Sequence, residues 1–304
     1  MTASKPRLYA GLFVGVVAVS WAAIFIRLAE APALSVSAWR MLFAGVPAAA
    51  FALWRRRPEL SALDHRGWGW LAASGVALAL HFATWIASLR LTSVASSVSL
   101  VSTQPIWVAI LAWLFLRERI GRWAITGIAL SVVGGAMVAG ADFALSGQAL
   151  WGDLLAIAGA LFAAIYFVVG RRVRATLSLG AYVGVVYAVA ALALVLSAGI
   201  AGEPLSGFTR STWLQLLLLA LVPQLLGHSL LNWALRYLSA PFVSLTILAE
   251  PVISTLLAIP LLGEWPGWLQ VLGAALTLAG VVVAAREEAE RAPPSARAEG
   301  TPVP

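Results

Sequence analysis

Apolar runs of about 18–25 residues, broken by short polar stretches, follow one another from Leu8 almost to the end of the chain. A helix rises about 1.5 Å per residue, so each run can cross a hydrocarbon core of about 30 Å. The strands of an outer-membrane barrel would instead alternate over about ten residues. The pattern predicts ten spans: Leu8–Leu28, Ala33–Trp54, Trp68–Leu89, Ser93–Leu116, Trp123–Gly140, Trp151–Gly170, Leu179–Gly199, Thr212–Leu235, Phe242–Leu262 and Gly267–Ala285. The interruptions after the second, fourth and sixth runs read RRRPEL, RERIGR and RRVR. Those between them carry mainly Glu30, Asp142, Glu203 and Glu264, with Arg90 and Arg210 as exceptions. Lysine and arginine accumulate on the cytoplasmic side of membrane proteins, so both termini are expected inside, a parity that ten spans satisfy. Lys5 and Arg7 ahead of the first run resemble the start of a signal peptide, but its apolar part exceeds a signal core, so it is expected to stay uncleaved.

Composition strengthens this picture. Hydrophobic residues make up 61% of the 304 positions and charged ones 11%, a balance that excludes a soluble domain. The net charge of +7 does not mark a nucleic-acid binder, because the arginines sit at helix ends instead of forming a basic face interleaved with aromatics. The absence of cysteine excludes disulfides, thiolate chemistry and Cys-ligated zinc. There is no GxxxxGK[ST] loop, so ATP is not the direct energy source.

A displacement of 146 positions lays the chain on itself. SLRLTSVASSVSLVSTQP, from Ser88, falls on ALRYLSAPFVSLTILAEP, from Ala234, and Pro105 meets Pro251. The register continues through Glu118 with Glu264, Gly127 with Gly273 and Gly134 with Gly280. Each half then holds five spans, and because five is odd the second half enters the membrane from the opposite side. Inverted repeats let a transporter open to either side around a site near the bilayer midplane. The expected fold is an all-α membrane protein of ten transmembrane helices, arranged as two inverted five-helix repeats around a central cavity. Its parts are a short N-terminus (1–7), a first repeat (8–140), an extracytoplasmic linker (141–150), a second repeat (151–286) and a polar, proline-rich cytoplasmic tail (287–304).

WRMLFAG in the second run, TQPIWVAILAWLFLRERI ending the fourth and AEPVISTLLAIPLLGEW ending the ninth make the chain resemble the EamA family of the drug/metabolite transporter superfamily, over residues 8–286. Among its members the ten-helix, YddG-type amino acid exporters are similar in layout. The resemblance implies a basket of helices around a central cavity and outward movement of small metabolites, most simply amino acids, aromatic ones included.

Polar residues buried in apolar runs are where such chemistry is expected, since a charge at a helix centre costs about 2.5–3.5 kcal/mol. Glu250 must be neutral or paired there, and is the candidate for holding a substrate ammonium or taking a proton. Pro251 frees the carbonyl of Ile247 from its helical donor, as Pro105 frees that of Val101; both prolines are expected to be structural or gating residues. His81 lies one turn before Trp85, and His228 one turn before Asn232, so each pair shares a helix face. Gln104, Trp107 and Tyr166 complete an expected pocket of amide and aromatic groups. Arg40 suits a carboxylate fork or, as the expectation preferred here, a structural or gating role. Two histidines without a carboxylate at ligand spacing do not make a metal site, and no cofactor is expected. Most tryptophans stand at helix ends, as membrane-interface belts do.

The expected function is therefore a secondary transporter in the cytoplasmic (inner) membrane, with a small-molecule substrate and surrounding lipid as its partners and no nucleic acid; a monomer is compatible with this reading. Export of lipophilic cations is the nearest rival, because an acidic midplane with aromatic walls also suits a drug cation. An intramembrane enzyme is the rival from another class: Ser74 in AASG, with His81 downstream, faintly resembles a serine–histidine pair, but lacks the first glycine of a G-x-S-G motif.

Overall fold

A computed structural model of the chain describes residues 5–92, 94–117, 120–139 and 147–263, and scattered positions between 265 and 283. Glu118, Glu264, the stretch 140–146 and the tail from 284 lie outside the described residues. Every regular element among the described residues is helical. Among the described residues seven helices are long and apolar enough to cross a membrane: Pro6–Leu28, Ala33–Arg55, His65–Leu91, Leu150–Arg174, Leu179–Ala201, Arg210–Ala234 and Ala240–Leu262. Gln104–Leu116 and Arg122–Gly134 are shorter apolar helices.

The first span is not one rod. It divides into α1 (Lys5–Ser20) and α2 (Ala22–Leu28). No proline causes this break. Ser20 turns its hydroxyl back onto the carbonyl of Val16 at 2.7 Å, and its own carbonyl accepts from the Ser254 hydroxyl at 2.8 Å. A serine that competes for a helical carbonyl, with a donor arriving from another helix, is a recognised cause of bending. Helix α3 (Ala33–Arg55) is followed by the short α4 (Arg57–Ser61) and by α5 (His65–Leu91). The expected fourth span is broken at Ser102 and Thr103 into α6 (Val94–Val101) and α7 (Gln104–Leu111), then widens into a π-helical turn, Ala112–Leu116. After α8 (Arg122–Ala139) come the long α9 (Gly147–Arg174) and α10 (Leu179–Ala201).

The eighth span also departs from a simple helix: α11 (Arg210–Leu219) runs into a π-helical segment, Ala220–His228, before α12 (Ser229–Ala234). Pro223 lies inside that segment, where the wider winding absorbs the ring that an α-helix would expel. The ninth span is α13 (Ala240–Thr246), a 3₁₀ turn at Ile247–Ala249, and α14 (Glu250–Leu262). Both prolines flagged in the sequence thus stand in the first turn of a new helical piece, where a missing N–H costs least. The carbonyl of Ile247, expected to be left free, instead accepts the N–H of Glu250 in the 3₁₀ turn.

Lipid offers no hydrophobic drive for helix association, so packing depends on close approach through small residues. On α3 and α10 a Cβ added at Gly45 would stand 2.8 Å from the carbonyl oxygen of Tyr187, and one added at Gly184 2.4 Å from Ala52. The seam between these helices is set by glycine. On α1, Gly15 likewise faces the backbone of Gly227.

The loops collect on two faces. On one, a Glu59 carboxylate oxygen accepts the N–H of Ser178 at 2.9 Å, and the Arg172 guanidinium lies 4.9 Å from the Trp70 ring. On the other, Glu203 accepts from the N–H of Ser35 at 2.9 Å, and Arg90 donates to the carbonyls of Ala29 and Ala31. The arginine-rich interruptions after the second and sixth runs therefore meet on one face, apart from Glu203.

Candidate functional site

Between the helices lies a cleft. Its walls come from both halves of the chain. Arg40 on α3, His81 and Trp85 on α5, and Gln104 and Pro105 on α7 line it from the first half; Tyr166 on α9, His228 at the end of the π segment and Glu250 at the start of α14 line it from the second. Three of the residues singled out in the sequence do not. Pro251 adjoins Glu250 without facing the space, Trp107 packs against the core instead, and Asn232 stands behind the wall.

The helix breaks explain how polar residues reach the cleft. Gln104 and Glu250 each open a new helical piece after a non-α turn, and Ser102 and Ile247 in those turns also line the space. His228 closes the π segment, whose extra winding shifts the register of every side chain beyond it.

His81 donates through Nδ1 to the carbonyl of Gly159 at 2.9 Å. A carbonyl only accepts, so Nδ1 carries the proton and Nε2 of the neutral ring is left as an acceptor. The ring stacks on Trp85, 5.8 Å between centroids and 8° from parallel. Across the cleft, His228 meets Phe82 edge-on at 5.5 Å and Tyr166 at 6.3 Å. Tyr166 is held from behind, because the Asn232 amide donates to its hydroxyl and to the carbonyl of His228. Asn232 therefore orients the wall that the sequence made it part of.

Arg40 is fully buried. Its Nε donates to the Gln224 side-chain oxygen at 2.9 Å, and its guanidinium carbon lies 3.8 Å from the centre of the Phe82 ring. No carboxylate oxygen comes within 4 Å of it among the described residues, and Nη1 and Nη2 have no hydrogen-bond partner. These contacts fix the side chain against Gln224 and Phe82, and the same side chain also lines the cleft. Glu250 is half-buried, with no protein hydrogen bond or ion pair to its carboxylate among the described residues. Among the described residues, the cleft thus holds one arginine whose Nη1 and Nη2 have no protein partner and one carboxyl group without a protein hydrogen bond.

Gln224 and Phe82, which fix Arg40, escaped the sequence reading. Phe82 looks like any apolar neighbour of His81. Gln224 carried a faint signal, an amide beside a proline in an apolar run, one turn before His228. Ser74, the residue of the enzyme-like motif, pairs its hydroxyl with that of Tyr182 at 2.7 Å. It makes no bond to His81. No group of three or more histidine, aspartate or glutamate residues suited to a metal occurs among the described residues.

The chain is similar to several known proteins. An uncharacterized transporter of Archaeoglobus fulgidus is 25% identical over 286 residues, 91% of this chain and 96% of that protein. The uncharacterized transporter YxxF of Bacillus subtilis is 23% identical over 252 residues, 82% of this chain and 76% of its own length. One solved crystal structure superposes with a TM-score of 0.77 over 94% of this chain and 99% of that one, at 21% identity, which shows a shared fold. The model of the EamA-like transporter family matches twice, over residues 8–140 and 150–286. On those two matches, the chain belongs to the EamA-like transporter family and is a multi-pass membrane protein of that family.

Proposed function

We propose that the protein is a secondary transporter that moves small metabolites, amino acids in the first instance, outward across the cytoplasmic membrane by alternating access around this cleft. The observation that carries the reading is the unpaired Glu250 carboxyl in a cleft lined from both halves. An uncompensated acid in the middle of a membrane protein is costly, and a substrate ammonium compensates it. The His81 Nε2 is a second acceptor for the same group, and the Trp85 and Tyr166 rings offer an apolar wall to a side chain.

The ten-span, inverted arrangement belongs to the same reading. The sequence register at 146 positions supports it. So does the close approach of Gly280 to the backbone of Gly127, since both positions belong to matched glycine pairs on opposite halves. The gathering of the arginine-rich interruptions on one face, with Glu203 on the other, supports cytoplasmic termini.

The test is flux into proteoliposomes of labelled amino acids and of cationic drugs, with Glu250→Gln and His81→Ala beside the parent. Saturable movement of amino acids that falls in both variants is the expected result. Movement of cations alone would replace the cargo, and movement of neither class would overturn the function.

A further inference from the structure

We infer that Arg40, Trp85 and Gln104 form a carboxylate subsite, so that the cargo is defined by an acid group as much as by an amine. This deepens the transporter reading above and rests on it for the physiological role, though not for binding itself.

Buried polar groups without partners are rare, because each forfeits a hydrogen bond that it would make in water. The cleft walls hold four such nitrogens that can only donate: Nη1 and Nη2 of Arg40, Nε1 of Trp85 and Nε2 of Gln104. The three residues are each less than a tenth exposed. Four donors with nothing to receive them call for a ligand rich in acceptors, and two parallel guanidinium N–H groups match the two oxygens of a carboxylate. The rest of the Arg40 side chain is committed elsewhere: Gln224 holds Nε, and the Phe82 ring lies 3.8 Å from the guanidinium carbon. The fork is therefore fixed in direction while its outer nitrogens stay free. A drug cation fits poorly, because it brings a second positive charge beside a buried guanidinium.

The subsite is tested on the purified chain in detergent by calorimetric binding of L-phenylalanine, L-leucine and L-threonine, each beside its amide, with phenethylamine as the amine that lacks an acid group. The parent is expected to bind at least one amino acid tenfold or more tightly than its amide, and phenethylamine no better than the amides. Arg40→Lys keeps the charge and loses the fork; a loss of at least tenfold in affinity is expected, with the acid-over-amide preference reduced. Trp85→Phe and Gln104→Met each remove one donor while keeping the bulk, and should lower that preference about threefold, which decides the matter if Arg40→Lys does not fold.

Equal binding of acid and amide, phenethylamine binding as well as phenylalanine, or no binding of any of the three acids would overturn the subsite. An unchanged acid-over-amide ratio in Trp85→Phe and Gln104→Met together would do so as well. Acid-selective binding without flux in proteoliposomes would leave the subsite standing and remove the transport reading.

Discussion

Gln104-Pro105 and Glu250-Pro251 stand 146 residues apart in the sequence, each opens a helical piece after a local break, and Gln104 and Glu250 face the same cleft. Only one of them can ionise. The shared backbone device brings a side chain into the cleft from each half, and the differing side chains give its two walls different tasks. In the proposed subsite Gln104 joins Arg40 as a donor, while Glu250 is the proposed acceptor for the substrate ammonium. Each of the two family matches contributes one of these side chains to the cleft, and on the proposed reading the divergence of this residue pair lets the site recognise two unlike groups.

The comparison can be broken most severely by making the two positions alike. Glu250→Gln turns the second into a copy of the first and removes the only carboxyl group that lines the cleft among the described residues. Amino acid counterflow is expected to fall at least tenfold, in line with about 1.5–3 kcal/mol for a hydrogen bond to a charged group. Gln104→Met in the other half should cost about threefold, the scale of one neutral hydrogen bond of ~1 kcal/mol. Equal losses at the two positions would erase the division of tasks.

The prolines sharpen the backbone side of the comparison. Each lies in the first turn of its helix, so neither bears the penalty of a helix interior. Pro105→Ala and Pro251→Ala are expected to shift the melting temperature by no more than about 4 °C, roughly 1 kcal/mol for a chain of this size. Both should slow counterflow twofold to fivefold by letting the helix close across the break. A large loss of stability would mean that the rings themselves support the packing.

The smallest effect lies away from the cleft, where Glu59 of the first half is tied to Ser178 of the second. Partial burial raises the Glu59 carboxyl, but hydrogen bonds from Ser178 and the nearby Arg56 outweigh it and hold the group below its ordinary value. A lowered folded pKa means that the contribution is complete above the ordinary carboxyl range and is lost as pH falls through the folded value. Glu59→Gln should therefore be less stable than the parent near neutrality by about 0.2–1 kcal/mol, a surface-pair magnitude. The gap should close on acidification in melts of the detergent-purified chain.

The sequence made the spans and the polar cleft residues legible for the same reason: lipid leaves no other solvent, so a glutamate or histidine in an apolar run stands out as sharply as the run itself. Glu250, His81, Gln104 and His228 could be placed at similar depth by counting along their helices. Which of them share a wall depends on rotation about the helix axis, and that is set by tertiary contact. Trp107 illustrates the difficulty, since it follows Gln104 by one turn and still packs into the core. Asn232 was placed on the face of His228 and is bonded to it, yet acts through Tyr166. The partners of Arg40 lay further out of reach, because Gln224 is 184 positions away and only folding reveals that an arginine on α3 meets a π-helical segment. The break at Ser20 was invisible for a similar reason, its donor Ser254 coming from the far end of the chain.

The complete absence of cysteine allows single reporters to be placed without altering a native thiol. Ser102, in the turn ahead of Gln104, lines the cleft. In Ser102→Cys, a membrane-impermeant maleimide added to either side of sealed vesicles is expected to label the thiol, and a saturating amino acid to slow labelling from both sides. Labelling from one side alone, or from neither, under every substrate condition would contradict a cleft that opens alternately across the membrane.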